Sequence, residues 1–373
     1  ISRGLVGSEM CIRDSLYTSL DLKSHQAAHK AFNNRKGAVV AIDIKDGSIV
    51  TLFSSPTFPT NQLANGILQK DFDELLLSEE KPFFNRALRG RYPPASSIKP
   101  AIAMYGIEEG LIDWNFSIFD EGFFTLPEDG RIYRDWKEGG HGDTNLFKAI
   151  TQSSNTYFFD LAYRSDINQL NKHLSSLGFG DKACIDCFEE DQVFVPEPSW
   201  KMNKHNFGWF KGDTVNMGVG QGYLVSTPIQ LAKYAYIMAN KGKFSDLSLK
   251  KDLVKSEKSI EFNKFSNDDW FKLHESMVNV IEGNTGTARR LRERKNYIVA
   301  AKTGTAELVS GDNREQYSET RLDDSLRDHA LIIAFGPMPN PRYAVSVVVE
   351  NGESGGSVAG PVAISVLNSL IQE

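Results

Sequence analysis

The chain has 373 residues, enough to bury a sizeable hydrophobic core without a disulfide framework. Its 42 Lys and Arg against 48 Asp and Glu leave a net charge of −6 with no long run of one sign, which argues against a nucleic-acid partner. Three cysteines, Cys11, Cys184 and Cys187, fit neither a secreted disulfide scaffold nor a four-cysteine zinc site, and no apolar run of about 20 residues is present to span a bilayer.

In chain order, residues 1–15 (ISRGLVGSEMCIRDS) show neither helical nor strand periodicity. They are expected to be non-native sequence, with the native N-terminus and any membrane anchor lost. From Gly37, the runs AVVAIDI and SIVTLFSS flank Lys45-Asp46-Gly47 and predict a β-hairpin. The middle of the chain reads as helical, with starts at Thr144 and at Thr227-Pro228, where a hydroxyl cap precedes a proline in the first turn. The second of these helices, PIQLAKYAYIMANKG, is expected to set Ile229, Leu231, Ala232, Ala235, Ile237 and Met238 on one side and to pack through it. Three runs rich in Val, Ile and Ala, at 296–308, 328–337 and 342–351, predict further strands of one antiparallel sheet. The polar stretch from Glu307 to Arg327 reads as a long surface loop, and VAGPVAISVLNSLIQ as a C-terminal helix over the sheet. Hairpin, helices, then three strands is an α+β order in which the sheet joins distant parts of the chain.

Three short motifs carry chemistry. Ser96 stands three residues before Lys99 in YPPASSIKP, where a proline-stiffened loop gives way to an apolar helical stretch. On a helical turn these two share a face, and a lysine held neutral by burial can take the proton of a serine hydroxyl. Ser-x-x-Lys alone is common, and its bland reading is a helix cap with a solvated lysine. Ser153-Ser154-Asn155 and Lys302-Thr303-Gly304-Thr305 follow, the second directly after the apolar run YIVAA. All three in this order form the signature of penicillin-binding proteins and serine β-lactamases. The chemistry then assigns Ser96 as nucleophile, Lys99 as its base and Ser153 as a proton relay between Lys99 and Lys302. Asn155 would donate to the substrate backbone, the N–H groups of Ser96 and Thr305 would hold the oxyanion, and Gly304 would let substrate lie close. Lys302, Thr303 and Thr305 suit a substrate carboxylate.

Beyond these motifs, RDWKEGGHG (134–142), GVGQGYLVSTPIQLA (218–232), RDHALIIAFGP (327–337) and VVVENGESGG (347–356) resemble class B penicillin-binding transpeptidases. They look like the rod-elongation branch rather than the division-specific one. The resemblance runs from about Leu16 to the C-terminus. It implies a penicilloyl-serine transferase fold, an antiparallel sheet flanked by helices beside a mainly helical subdomain. Residues 16–36 would then be the remnant of an N-terminal pedestal and 37–373 the transpeptidase domain. Its sheet subdomain would be 37–56 with 290–373, and its helical subdomain about 85–289. The implied activity is D,D-transpeptidation of peptidoglycan stem pentapeptides, blocked by β-lactams. The implied setting is the periplasmic face of the inner membrane, beside a RodA-type glycosyltransferase and other elongation proteins.

Two departures from that family matter. Ala95 replaces the glycine that usually precedes the nucleophile, and its Cβ implies that the backbone there need not take positive φ. No cofactor is required, but some members bind zinc through two aspartates, a histidine and a cysteine. The matching residues are Asp120, Asp135, His141 and Ser154, so the thiolate is missing and zinc would have three protein ligands plus water. The pair Cys184 and Cys187 is expected to be free thiols rather than a small disulfide, since no βαβ context or second pair accompanies it. Tyr133, Trp136 and Tyr223 are candidates for the cleft wall. A serine β-lactamase and a penicillin-sensing domain without turnover are the alternative functions.

Overall fold

A computed structural model describes residues 15–308 and 326–371. The run expected to be non-native, save Ser15, and most of the expected loop from Glu307 to Arg327 lie outside the described residues. The strands of the main sheet are β1 (Gly37–Asp43), β2 (Ser48–Ser55), β3 (Ala300–Ala306), β4 (His329–Gly336) and β5 (Tyr343–Val349). The helices that frame it are α1 (Leu22–Phe32), α2 (Lys99–Glu108), α3 (Leu146–Gln152), α4 (Asn155–Arg164), α5 (Pro228–Ala239), α6 (Asn267–Glu282) and α7 (Gly360–Ile371).

The sheet is antiparallel throughout, in the order β2-β1-β5-β4-β3. Its strands read as almost unbroken apolar runs because both faces are covered. Alternate residues of β1 divide between two cores, Val39 and Ala41 on one side, Val40 and Ile42 on the other. The first side is closed by α1 and α7 through Ala28, Phe32, Val366 and Leu367. The second is closed by α5, behind which lies the helical layer containing α2 and α4. This arrangement bears out the α+β class and places β3 at a sheet edge, facing the helical layer.

Several local expectations need correction. Every residue of α5 except Lys233 is buried, so it is a central helix rather than a one-sided one; Tyr234, Tyr236 and Gln230 are enclosed along with the predicted apolar positions. Gln230 is tolerated because its Oε1 accepts the Thr227 N–H and its Nε2 donates to the Asp181 carbonyl. The cap of α3 is Asn145, whose side chain accepts the Lys148 N–H, while Thr144 belongs to the short strand Gly142–Asn145. Cys184 and Cys187 are joined in a disulfide, against the expectation of free thiols. The Glu190 carboxylate accepts the N–H groups of Ala183 and Cys184 and so fixes the loop that brings the two Cα atoms to 5.4 Å, within bridging range.

Candidate active site

Ser96 lies in a 3₁₀ turn, Ala95–Ile98, that runs directly into α2. The Lys99 N–H donates to the Ser96 carbonyl, so the two side chains sit one turn apart on a shared face. Ala95 does take positive φ, +49°, contrary to the expectation drawn from its Cβ. A Cβ makes that region costly by about 1 kcal/mol but does not forbid it. Here the Ala95 N–H donates to the Gly220 carbonyl at 2.8 Å, and the methyl is fully buried. Gly220 has no such latitude, since a Cβ there would stand 2.3 Å from the Ala95 carbonyl oxygen.

Lys99 is completely buried, and its Nζ is 2.7 Å from Asn155 Oδ1, 2.8 Å from the Ser153 carbonyl and 3.3 Å from Ser153 Oγ. Burial lowers its pKa to about 7, against the opposing pull of Asp135 and Asp120. As a neutral amine it would spend its two protons on the two short contacts, which leaves its lone pair able to accept a proton. Lys302, equally buried, donates to Ser153 Oγ at 2.8 Å. Burial first and the nearby Lys99 second push its pKa well below the usual lysine value. Ser153 can reach both lysines because the helix breaks at it: it caps α3 in the left-handed region, φ +61°, and Ser154 begins α4 as N-cap.

Thr303 and Gly304 lie on β3, paired with Ile332 and Leu331 of β4. The Thr305 carbonyl accepts from Gln221 Nε2 at 3.2 Å, on the edge away from β4. In an extended strand the N–H and carbonyl of one residue point to the same edge, so the Thr305 N–H also faces the cleft. A Cβ on Gly304 would approach the Pro94 carbonyl at 3.2 Å, which shows how closely β3 passes the nucleophile turn. The structure therefore brings Ser96, Lys99, Ser153, Asn155, Lys302, Thr303, Gly304 and Thr305 to one cleft.

Below Asn155 lies a second cluster. Asp135 Oδ2 accepts the N–H groups of Asn155 and Thr156 at 2.5 and 2.9 Å, placing a carboxylate at the positive end of α4. Burial opposes its ionisation, but the hydrogen bond from His141, the charge of Lys99 and the N–H groups of Thr156 and Lys137 prevail, holding its pKa at about 2. Its Oδ1 stands 3.3 Å from His141 Nε2, and His141 Nδ1 is 3.0 Å from Gln152 Oε1. One donor atom each from Asp120, Asp135 and His141 lies within 4.8 Å of the others, an arrangement compatible with a divalent cation. The fourth position is the Ser154 hydroxyl, which donates to Asp120 Oδ2 at 2.7 Å and supplies no thiolate.

Of the aromatic candidates, Trp136 belongs to the site: its Nε1 donates to the Ser153 carbonyl at 3.1 Å while the residue stays 58% exposed. Tyr133 is instead a core residue packed on Phe159 and Phe124, and Tyr223 stacks with Trp200 and His205 beside the Gln221 loop. Gln152, Gln221 and Thr287 were not legible as site residues. A lone glutamine or threonine has no motif; Gln152 and Gln221 adjoin Ser153 and Gly220, and Thr287 had no such neighbour.

A family model for the penicillin binding protein transpeptidase domain matches residues 37–368. The peptidoglycan D,D-transpeptidase MrdA of Acinetobacter baumannii is 39% identical over 355 residues, 93% of this chain and 52% of that protein. A solved structure of Pseudomonas aeruginosa PBP2 in complex with WCK 5153 superposes with a TM-score of 0.86 at 35% identity, covering 96% of this chain and 79% of that one. The Helicobacter pylori PBP2 in complex with MreC superposes with a TM-score of 0.87 at 30% identity, covering 96% and 64%. The chain spans about half the length of the curated relatives it matches.

Proposed function

The chain belongs to the penicillin-binding protein transpeptidase family, and from that premise we propose that it is the cross-linking domain of an elongation-type peptidoglycan D,D-transpeptidase. The observation that carries this reading is the sealed Lys99, hydrogen-bonded to Ser153 and Asn155, with Lys302 donating to the same Ser153 hydroxyl. Ser96 Oγ attacks the penultimate D-Ala carbonyl of a stem pentapeptide as its proton passes to Lys99. The N–H groups of Ser96 and Thr305 hold the oxyanion. As the carbon–nitrogen bond breaks, the proton moves from Lys99 through Ser153 to the departing D-Ala amine, leaving a Ser96 ester. An amine of a neighbouring stem then attacks that ester, gives its proton back along the same path, and regenerates Ser96. A β-lactam ring opens in the first step and has no leaving group to diffuse away, so it stays on Ser96.

No step calls on a cofactor. A zinc ion on Asp120, Asp135, His141 and water would tie together the short strands and loops that precede α3, a structural contribution with no reacting group. The resemblance to the H. pylori PBP2–MreC complex supports a place in the elongation machinery with a scaffold of the MreC kind as partner, and the rod-elongation motifs of the sequence extend this reading to a RodA-type glycosyltransferase. The same motifs carry the setting at the periplasmic face of the inner membrane. Among the described residues no helix is long and apolar enough to cross a membrane.

Fluorescent penicillin followed by peptide mapping tests the assignment: label is expected on the peptide containing Ser96 and lost in Ser96→Ala. Transfer of the acyl group to an added D-amino acid separates a transferase from a β-lactamase or a sensor. Labelling of Ser96→Ala at the parent rate would end this reading.

A further inference from the structure

The segment between α6 and β3 supplies a residue to the cleft that no motif names. Thr287 Oγ1 lies 2.7 Å from Thr303 Oγ1, the hydroxyl of the Lys-Thr-Gly strand. Its backbone is held from several sides. The Ala288 N–H donates to the Val280 carbonyl, which folds the segment back on the last turn of α6. Thr285 Oγ1 accepts from Gln152 Nε2 at 3.1 Å, which ties the segment to the residue preceding Ser153. Gly356 packs so closely that a Cβ there would stand 2.5 Å from the Thr287 carbonyl oxygen. Thr287 therefore reaches Thr303 from a fixed position, and the segment bridges the two walls of the cleft.

We propose that Thr287 is a positioning residue for recognition of the substrate carboxylate: its hydroxyl donates to Thr303 Oγ1, leaving the Thr303 proton to point at the carboxylate. This rests on the transpeptidase reading given above. A carboxylate only accepts, so the Thr303 hydroxyl has to donate to it, and its oxygen then needs a donor of its own. Thr287 is that donor. A chain of two hydroxyls ending on an anion polarises in one direction, which strengthens the terminal bond and fixes the Thr303 rotamer.

The test compares benzylpenicillin with its methyl ester, which lacks the anion, as acylating agents for the parent protein and for Thr287→Val, Thr287→Ala, Thr287→Ser and Thr303→Val. Thr287→Val and Thr287→Ala should lower the second-order acylation rate for the acid up to about tenfold, the upper end for one hydrogen bond between neutral hydroxyls, and leave the ester rate within about twofold. Thr287→Ser should restore the acid rate. An equal fall for acid and ester would make Thr287 a mere staple between loop and strand, and no fall for either would remove it from the site; both overturn the proposal. Thr303→Val separates the two levels of inference. If it too fails to distinguish acid from ester, the carboxylate has been placed wrongly; if it distinguishes them and the Thr287 variants do not, only the role of Thr287 fails.

Discussion

Lys99 and Lys302 are sealed in one pocket, and both point at Ser153. Water would favour their charged forms, and its exclusion is what frees the Lys99 lone pair. Since burial sets the Lys99 pKa at about 7, the base is protonated and idle below that value and competent above it. The acylation rate with a penicillin should therefore fall about tenfold for each pH unit below 7 and level off above it. Lys99→Arg, which stays charged, should be inert at every pH. Stopped-flow acylation between pH 5.5 and 8.5 checks this, and a flat profile would show that Lys99 is not the base. These residues were legible because their spacing is part of the chemistry: Ser96 and Lys99 must share a turn, and Lys302 must precede a glycine. Ala95 and Thr287 were not, because backbone sign and a hydroxyl–hydroxyl contact leave no periodic trace in a sequence.

Elements were legible where burial imposes a pattern. The runs that became β1, β4 and β5 could hardly form anything but covered strands. The helical region was harder, since α3 and α4 form one apolar stretch whose break at Ser153 depends on caps and on the Asp135 carboxylate. The start of α4 is the element on which the site turns, because it carries Ser154 and Asn155 and receives Asp135 on its N–H groups. Ser154→Cys should complete a tetrahedral set of two carboxylates, an imidazole and a thiolate. The variant should purify with about one zinc ion per chain and melt higher than after chelator treatment, while the parent should hold much less metal. Loss of the Ser154 cap on the Tyr157 N–H sets a cost of about 1 kcal/mol against that gain in the metal-free form. Elemental analysis decides, and equal zinc in parent and variant would refute the assignment of Ser154 to the fourth position.

At the scale of the whole molecule, the helical layer and the sheet are tied by polar contacts as well as by the shared core. Arg86 Nε donates to Glu350 Oε1 at 2.9 Å, just beyond β5, and the same oxygen accepts from Tyr92 Oη at 2.7 Å, four residues before Ser96. Arg86 also donates to the carbonyls of Glu80 and Lys81. Its side chain is 4% exposed and that of Glu350 19%, so removing one partner strands a poorly solvated charge. Arg86→Met should lower stability by about 3–5 kcal/mol, and the double variant with Glu350→Gln should lose less than the two single changes together. Urea unfolding with an unchanged slope measures this, and a midpoint equal to the parent's would refute it. Such a long-range pair could not be read from the sequence, which gives the charges but not their meeting, whereas the joining of the hairpin and the three late strands in one antiparallel sheet was legible there, though not their order.

The edge of β3 has one more consequence. An unpaired strand edge is where folded proteins adhere to one another, each lending the other a strand. Gln221 already occupies the Thr305 carbonyl, and the turn carrying Ser96 crowds Gly304. The crowding beside Ser96 thus also leaves less of this edge open to pairing with a strand of another molecule.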